Sequence, residues 1–232
     1  MDFKDFAANQ LLLWTLVIAP LMGVYSYFRL RSRKPIPAKN KRYRTMIAFQ
    51  CFLMLLSWQA SFAQHFRFFD TRGIFIWYWL LAASWLAFVG IRLKSAWSRI
   101  SAERREKARL TLPENRSEMR YWVPISVLAG ISEEWAYRGA ACALLIRMTG
   151  SVAISVLICS IAFGLGHLLH GWRAAGESAL LALVLQLVAF QCQSLILVMV
   201  IHACYDLLVG TIAMRELSRS PVSIVPTAEP VI

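Results

Sequence analysis

Three short stretches of this chain set acids, bases and imidazoles among otherwise apolar residues. The first, Ser132-Glu133-Glu134-Trp135-Ala136-Tyr137-Arg138-Gly139, holds two carboxylates and a guanidinium. On a helix Glu134 and Arg138 fall one turn apart on one face, acid before base, which is the favourable order for an ion pair. Glu133 is rotated away by about 100° and has no partner on its own helix. One carboxylate is thus held ionised by its neighbour, while the other is desolvated, unpaired and suited to take up a proton as a general base. The second stretch, Phe163-Gly164-Leu165-Gly166-His167, sets an imidazole behind two glycines that admit a neighbouring helix. The third, His202-Ala203-Cys204-Tyr205-Asp206, aligns an imidazole and a carboxylate one turn apart. Taken singly, each has a bland account: a pair that pins helices, a satisfied core histidine, a His–Asp pair bonded to itself. Taken together they are acid and base groups suited to handling a proton.

The elements that must position these groups are membrane helices. Hydrophobic residues make up 58% of the 232 positions, and the mean hydropathy is +0.53, more apolar surface than one soluble core of this length hides. Crossing the hydrocarbon core takes about 20 apolar residues, and long continuous apolar runs do so as helices. The expected fold is all-α, a polytopic bundle of about seven transmembrane helices, at roughly 10–28, 45–64, 74–93, 121–147, 151–170, 175–192 and 195–214. The first run is too long for a signal-peptide core and has no small-residue cleavage site. Five cysteines occur singly, with no paired spacing.

The net charge of +12 would suit nucleic acid only if it lay on a folded polar domain. Instead the basic residues cluster between apolar runs: 29–44 carries eight and no acid, and 92–120 carries nine against four acids. Short cytoplasmic loops collect Lys and Arg, so the N-terminus is expected outside, and the C-terminus and the opening of the site cytoplasmic. Residues 94–109 have the pattern of an interfacial amphipathic helix or a solvated charge run. Counted inward from the cytoplasmic ends, Glu133, His167 and Asp206 fall in the cytoplasmic half and His202 near the midplane. Ionisable groups at agreeing depth on three spans imply one shared, water-accessible pocket.

In these motifs the chain resembles the type II CAAX-prenyl endopeptidases and their prokaryotic relatives, the Abi or bacteriocin-processing (CPBP) family. EExxxR is matched by Glu133, Glu134 and Arg138; FxxxH by Phe163 and His167; HxxxN or HxxxD by His202 and Asp206. The resemblance covers roughly 121–214, with Ser194 opening the last helix and Cys192-Gln193 where Thr-Gly is often seen. It implies an intramembrane endopeptidase that cuts near the end of a membrane-associated protein or peptide. By the same resemblance Glu133 is the base, His167 positions the water, and His202 donates toward the tetrahedral intermediate. Asp206, unable to donate while ionised, is expected to orient His202 or to be protonated itself. Glu134 with Arg138 is the supporting pair.

No cofactor is called for, with zinc as second choice, since two glutamates and two histidines can ligate it but no HExxH is present. Ser132 lies in no GxSxG setting, and Asp206 is the only aspartate in any span, so serine and aspartyl chemistries fall away. A proton-coupled carrier and a silent scaffold stay open as non-enzymatic readings, although no internal repeat is seen. The partners implied are the bilayer and a membrane-associated substrate, with no nucleic acid. The chain divides into 1–120, three helices with basic loops; 121–214, the four-helix core; and 215–232, a disordered cytoplasmic tail.

Overall fold

The structure is a computed structural model, and it describes residues 2–32, 37–97 and 99–219. Among them are eight helices and no strand. We label these α1 Phe3–Arg31, α2 Lys39–Gln64, α3 Ile76–Trp97, α4 Ala102–Thr111 and α5, which starts as Arg116–Glu133, widens into a π-helical stretch Glu134–Ala141 and ends as Cys142–Thr149. Then come α6 Val152–Gly166, α7 Trp172–Cys192 and α8 Ile196–Arg219. The all-α bundle is as expected, but the count of seven crossings is not established. Five helices, α1, α2, α3, α7 and α8, are long and apolar enough to span a bilayer. α6 has only 15 residues, about 22 Å of helix against about 30 Å of hydrocarbon. It stops at Gly166, short of the expected end at 170, and its chain turns back through Gly171, at φ 102°.

Two of the basic segments become ordered structure at one end of the bundle. Ser101 caps α4 by accepting from the Arg104 amide at 3.3 Å, so the charged stretch after α3 does fold as a short helix, slightly later than 94–109. Lys39, opening α2, pairs with Glu114 at 3.0 Å and Glu118 at 2.7 Å. Arg109 of α4 pairs with Glu114 and donates to the carbonyl of Leu217 near the end of α8. The starts of α2 and α5, the end of α4 and the end of α8 are therefore tied together. α8 runs on to Arg219; the rest of the expected tail, 220–232, lies outside the described residues.

Helix α1 widens at Trp14–Ile18, immediately before Pro20. Proline has no amide hydrogen to give and its ring crowds the preceding turn, a strain that a wider turn relieves. The Ala19 amide bonds to Trp14 rather than Thr15, so the Thr15 carbonyl loses its backbone donor. It accepts the Tyr137 hydroxyl instead, at 3.1 Å. A sequence-dictated flaw in α1 thus anchors the π-helical stretch of α5 that carries Glu134 and Arg138.

Glycines set the closest helix approaches. A Cβ on Gly130 would stand 2.8 Å from backbone atoms of Met199 and Ala203, so α5 and α8 touch beside the site. Gly164 does the same for α6 against α7, with Ala175 O at 2.6 Å. At Gly166 the close neighbour is α1: a Cβ on Gly23 would stand 2.2 Å from Leu165 O and 2.9 Å from Gly166 Cα, while a Cβ on Gly166 itself would meet Ala19 O at 4.0 Å.

Candidate active site

The six ionisable side chains singled out on α5, α6 and α8 lie in one polar cluster, with the Phe163 ring at its hub. That ring stands 4.5 Å from the His167 ring and 6.2 Å from the His202 ring, and the Arg138 guanidinium lies over it at 4.2 Å. The face of an aromatic ring attracts a cation, so Phe163 both spaces the imidazoles and helps hold Arg138.

Glu134 is fully buried and spans two partners. One oxygen, Oε1, lies 3.1 Å from Arg138 Nη1 and 2.7 Å from His202 Nδ1. The carboxylate accepts, so Nδ1 of His202 carries the hydrogen. Asp206 was expected to orient the ring or to be protonated itself; the ring's hydrogen-bond partner is Glu134, and Asp206 faces the opposite nitrogen. His202 Nε2 is 3.7 Å from Asp206 Oδ2 and 3.9 Å from Glu133 Oε2. Both separations exceed a hydrogen bond.

Glu133 is placed differently from its neighbour. Its Oε2 has no hydrogen-bond partner and faces His202, while its Oε1 accepts from Gln50 Nε2 of α2 at 2.6 Å. Ser132, wholly buried, donates to Gln50 Oε1. Gln50 was missed in the sequence, where it is one of three glutamines on α2. A signal was present: Gln50, Leu53, Ser57, Ala60 and Ser61 recur at helical spacing, and all five are buried. Such a stripe of small and polar residues marks the protein-facing side of a membrane helix.

His167 is not inside a helix but in the turn that ends α6. Its amide bonds to the carbonyl of Gly164 rather than Phe163, and the Phe163 carbonyl orphaned by the helix end accepts from the His167 ring at 2.8 Å. A carbonyl only accepts, so the hydrogen sits on Nδ1, leaving Nε2 of the neutral ring with its lone pair free. The early stop of α6 therefore fixes both the tautomer and the aim of the ring.

Accessibility runs in one direction across the cluster. The side chains of Asp206, Glu133 and His202 are 25%, 14% and 10% exposed, whereas those of Arg138 and Glu134 are 2% and 0% exposed. Exposure thus rises from the Glu134–Arg138 pair toward Asp206, while Glu133 Oε2 itself is buried. α8 is fixed there by Trp122 of α5, whose indole donates to the Asp206 carbonyl at 2.9 Å. Gly210 makes room for that indole, since a Cβ there would meet Nε1 at 2.1 Å. The turn before α8 holds Gln193 at φ 52°, a left-handed conformation that glycine adopts without strain.

Residues 115–208 match a family model described as type II CAAX prenyl endopeptidase Rce1-like. No curated protein and no solved structure matches the chain.

Proposed function

Because residues 115–208 form an Rce1-like domain of the type II CAAX prenyl endopeptidases, a family of membrane proteases, we propose that this protein cleaves a peptide bond near the end of a membrane-associated protein or peptide, with Glu133 as the base. The observation that carries the reading is Oε2 of Glu133, buried, without a hydrogen-bond partner and 3.9 Å from His202 Nε2. A water within hydrogen-bond reach of Oε2 gives it a proton as the water's oxygen attacks the scissile carbonyl carbon. His167 presents an unprotonated Nε2 that accepts from the same water and sets its angle of approach. His202 in its doubly protonated form donates from Nε2 to the oxyanion while Nδ1 stays on Glu134. Collapse of the tetrahedral intermediate breaks the C–N bond, and the proton on Glu133 goes to the leaving amine.

Glu134 and Arg138 act by holding His202, and Asp206 by flanking its outer nitrogen. In this reading the glutamate activates the water and no metal is required. Among the described residues no three His, Cys, Asp or Glu side chains are grouped as a metal's ligands would be. The gathering of Lys39, Arg109 and the α8 end at one pole of the bundle supports a cytoplasmic opening, with the N-terminus outside.

Proteomics of protein termini, in cells carrying the wild type or Glu133→Gln, tests the function. The expected result is a membrane protein or peptide trimmed only by the wild type. Identical termini in both cell lines would contradict it.

A further inference from the structure

Gln50 lies on α2, outside the matched domain, yet it makes the one direct hydrogen bond to the carboxylate of Glu133 that the structure shows. Its side chain is clamped from both sides. Oε1 accepts from Ser132 and Nε2 donates to Glu133 Oε1 at 2.6 Å, and Gln50 is 5% exposed. An amide has two chemically different ends; the Glu133 carboxylate takes the NH₂ end, and the Ser132 hydroxyl, able to donate or accept, holds the other by donating to Oε1. With the hydroxyl on Oε1, the NH₂ meets the carboxylate, which can only accept.

The consequence for the base is geometric. With Oε1 tied to Gln50, the carboxylate cannot rotate freely, and its other oxygen stays directed at His202 Nε2, 3.9 Å away. We infer that Gln50 is a positioning residue for the reaction: through its amide, anchored at Oε1 by Ser132, α2 aims Glu133 Oε2 at the attacking water. This rests on the reading of Glu133 as the base, and it assigns to the N-terminal helices a part in catalysis that the matched domain alone does not supply. A plain structural pin between α2 and α5 would use the same residues, so the two roles must be separated by kinetics.

The test uses full-length protein in nanodiscs and an internally quenched peptide ending in a farnesylated CAAX tetrapeptide. Gln50→Met keeps the volume and removes both hydrogen bonds; Gln50→Asn keeps the amide and shortens its reach; Ser132→Ala leaves the amide in place without the hydroxyl that anchors its oxygen. The expected result is a kcat for Gln50→Met about 10- to 100-fold lower with KM unchanged, Asn and Ala variants falling between it and the wild type, and melting temperatures close to the wild type's. Equal losses of kcat and thermal stability in Gln50→Met and Ser132→Ala, or a full kcat in Gln50→Met, would overturn the inference. A second arm needs no turnover: the Glu133 carboxylate band, isolated by infrared difference against Glu133→Gln, is expected to shift in Gln50→Met, and an unshifted band overturns the contact itself. A wild type that fails to cut the peptide while its carboxylate band shifts counts against the proposed function and leaves the Gln50 contact standing.

Discussion

Helices α2 and α3 follow one another in the chain, are 26 and 22 residues long, and both lie outside the matched domain, yet their surroundings are opposite. α2 buries Tyr43, Gln50, Leu53, Leu56, Ser57, Ala60, Ser61 and Ala63, whereas α3 buries no residue. α3 leans on α8 through Gly90 against Leu208 and Trp85 stacked on Tyr205, and turns Leu80, Leu81, Phe88 and Ile91 outward. Apolar character does not separate the two, because lipid is as apolar as a protein core. Small and polar residues do. They collect where a helix meets other helices, and on α2 that stripe includes the group that touches Glu133.

The contrast is sharpest at two serines with the same local bond. Ser57 Oγ donates to the Leu53 carbonyl and Ser84 Oγ to the Leu80 carbonyl, each at 2.8 Å. Ser57 is wholly buried and Ser84 exposed.

The largest effect is expected in the interior that α2 helps to enclose. Arg138→Ala leaves Glu134 buried without its cation and should destabilise the fold by about 3–5 kcal/mol, read as a large fall in melting temperature in detergent; a melting temperature near the wild type's would show the pair to be incidental. Ser57→Leu overpacks the α2 interface and should cost about 1–3 kcal/mol, with loss of peptide cleavage as α2 moves off Glu133. Ser84→Leu, the same change on α3, should stay within about 0.5 kcal/mol and keep full activity. If the two leucine variants behaved alike, α2 and α3 would not differ as their packing indicates.

Much of the site was legible in the sequence for a specific reason: ionised groups in apolar helices are costly enough to stand out one by one. Glu133, Glu134, Arg138, His167, His202 and Asp206 were found in this way. Gln50 was not, because a neutral amide costs less in lipid, and α2 offers Gln50, Gln59 and Gln64 without a mark to choose among them until the buried stripe is considered. The bond from His202 to Glu134 was not foreseen, because one-turn spacing such as that of His202 and Asp206 is visible within a helix, whereas a contact between α8 and α5 is not. The end of α6 at Gly166 was hidden by Leu168 and Leu169, which continue the apolar run past the point where the helix stops. The helical character of the chain was plain from composition, but the number of crossings was not, since α6 is shorter than a bilayer is thick.

The account turns on Glu133 as the group that takes the proton from water. Purified wild type and Glu133→Gln, reconstituted in the same vesicles and shown to melt alike, should differ at least about 100-fold in kcat on a lipidated peptide, with the wild-type rate unaffected by a chelator. A glutamine variant that cleaves at the wild-type rate, or a wild type that loses activity to a chelator and regains it with zinc, would contradict the account.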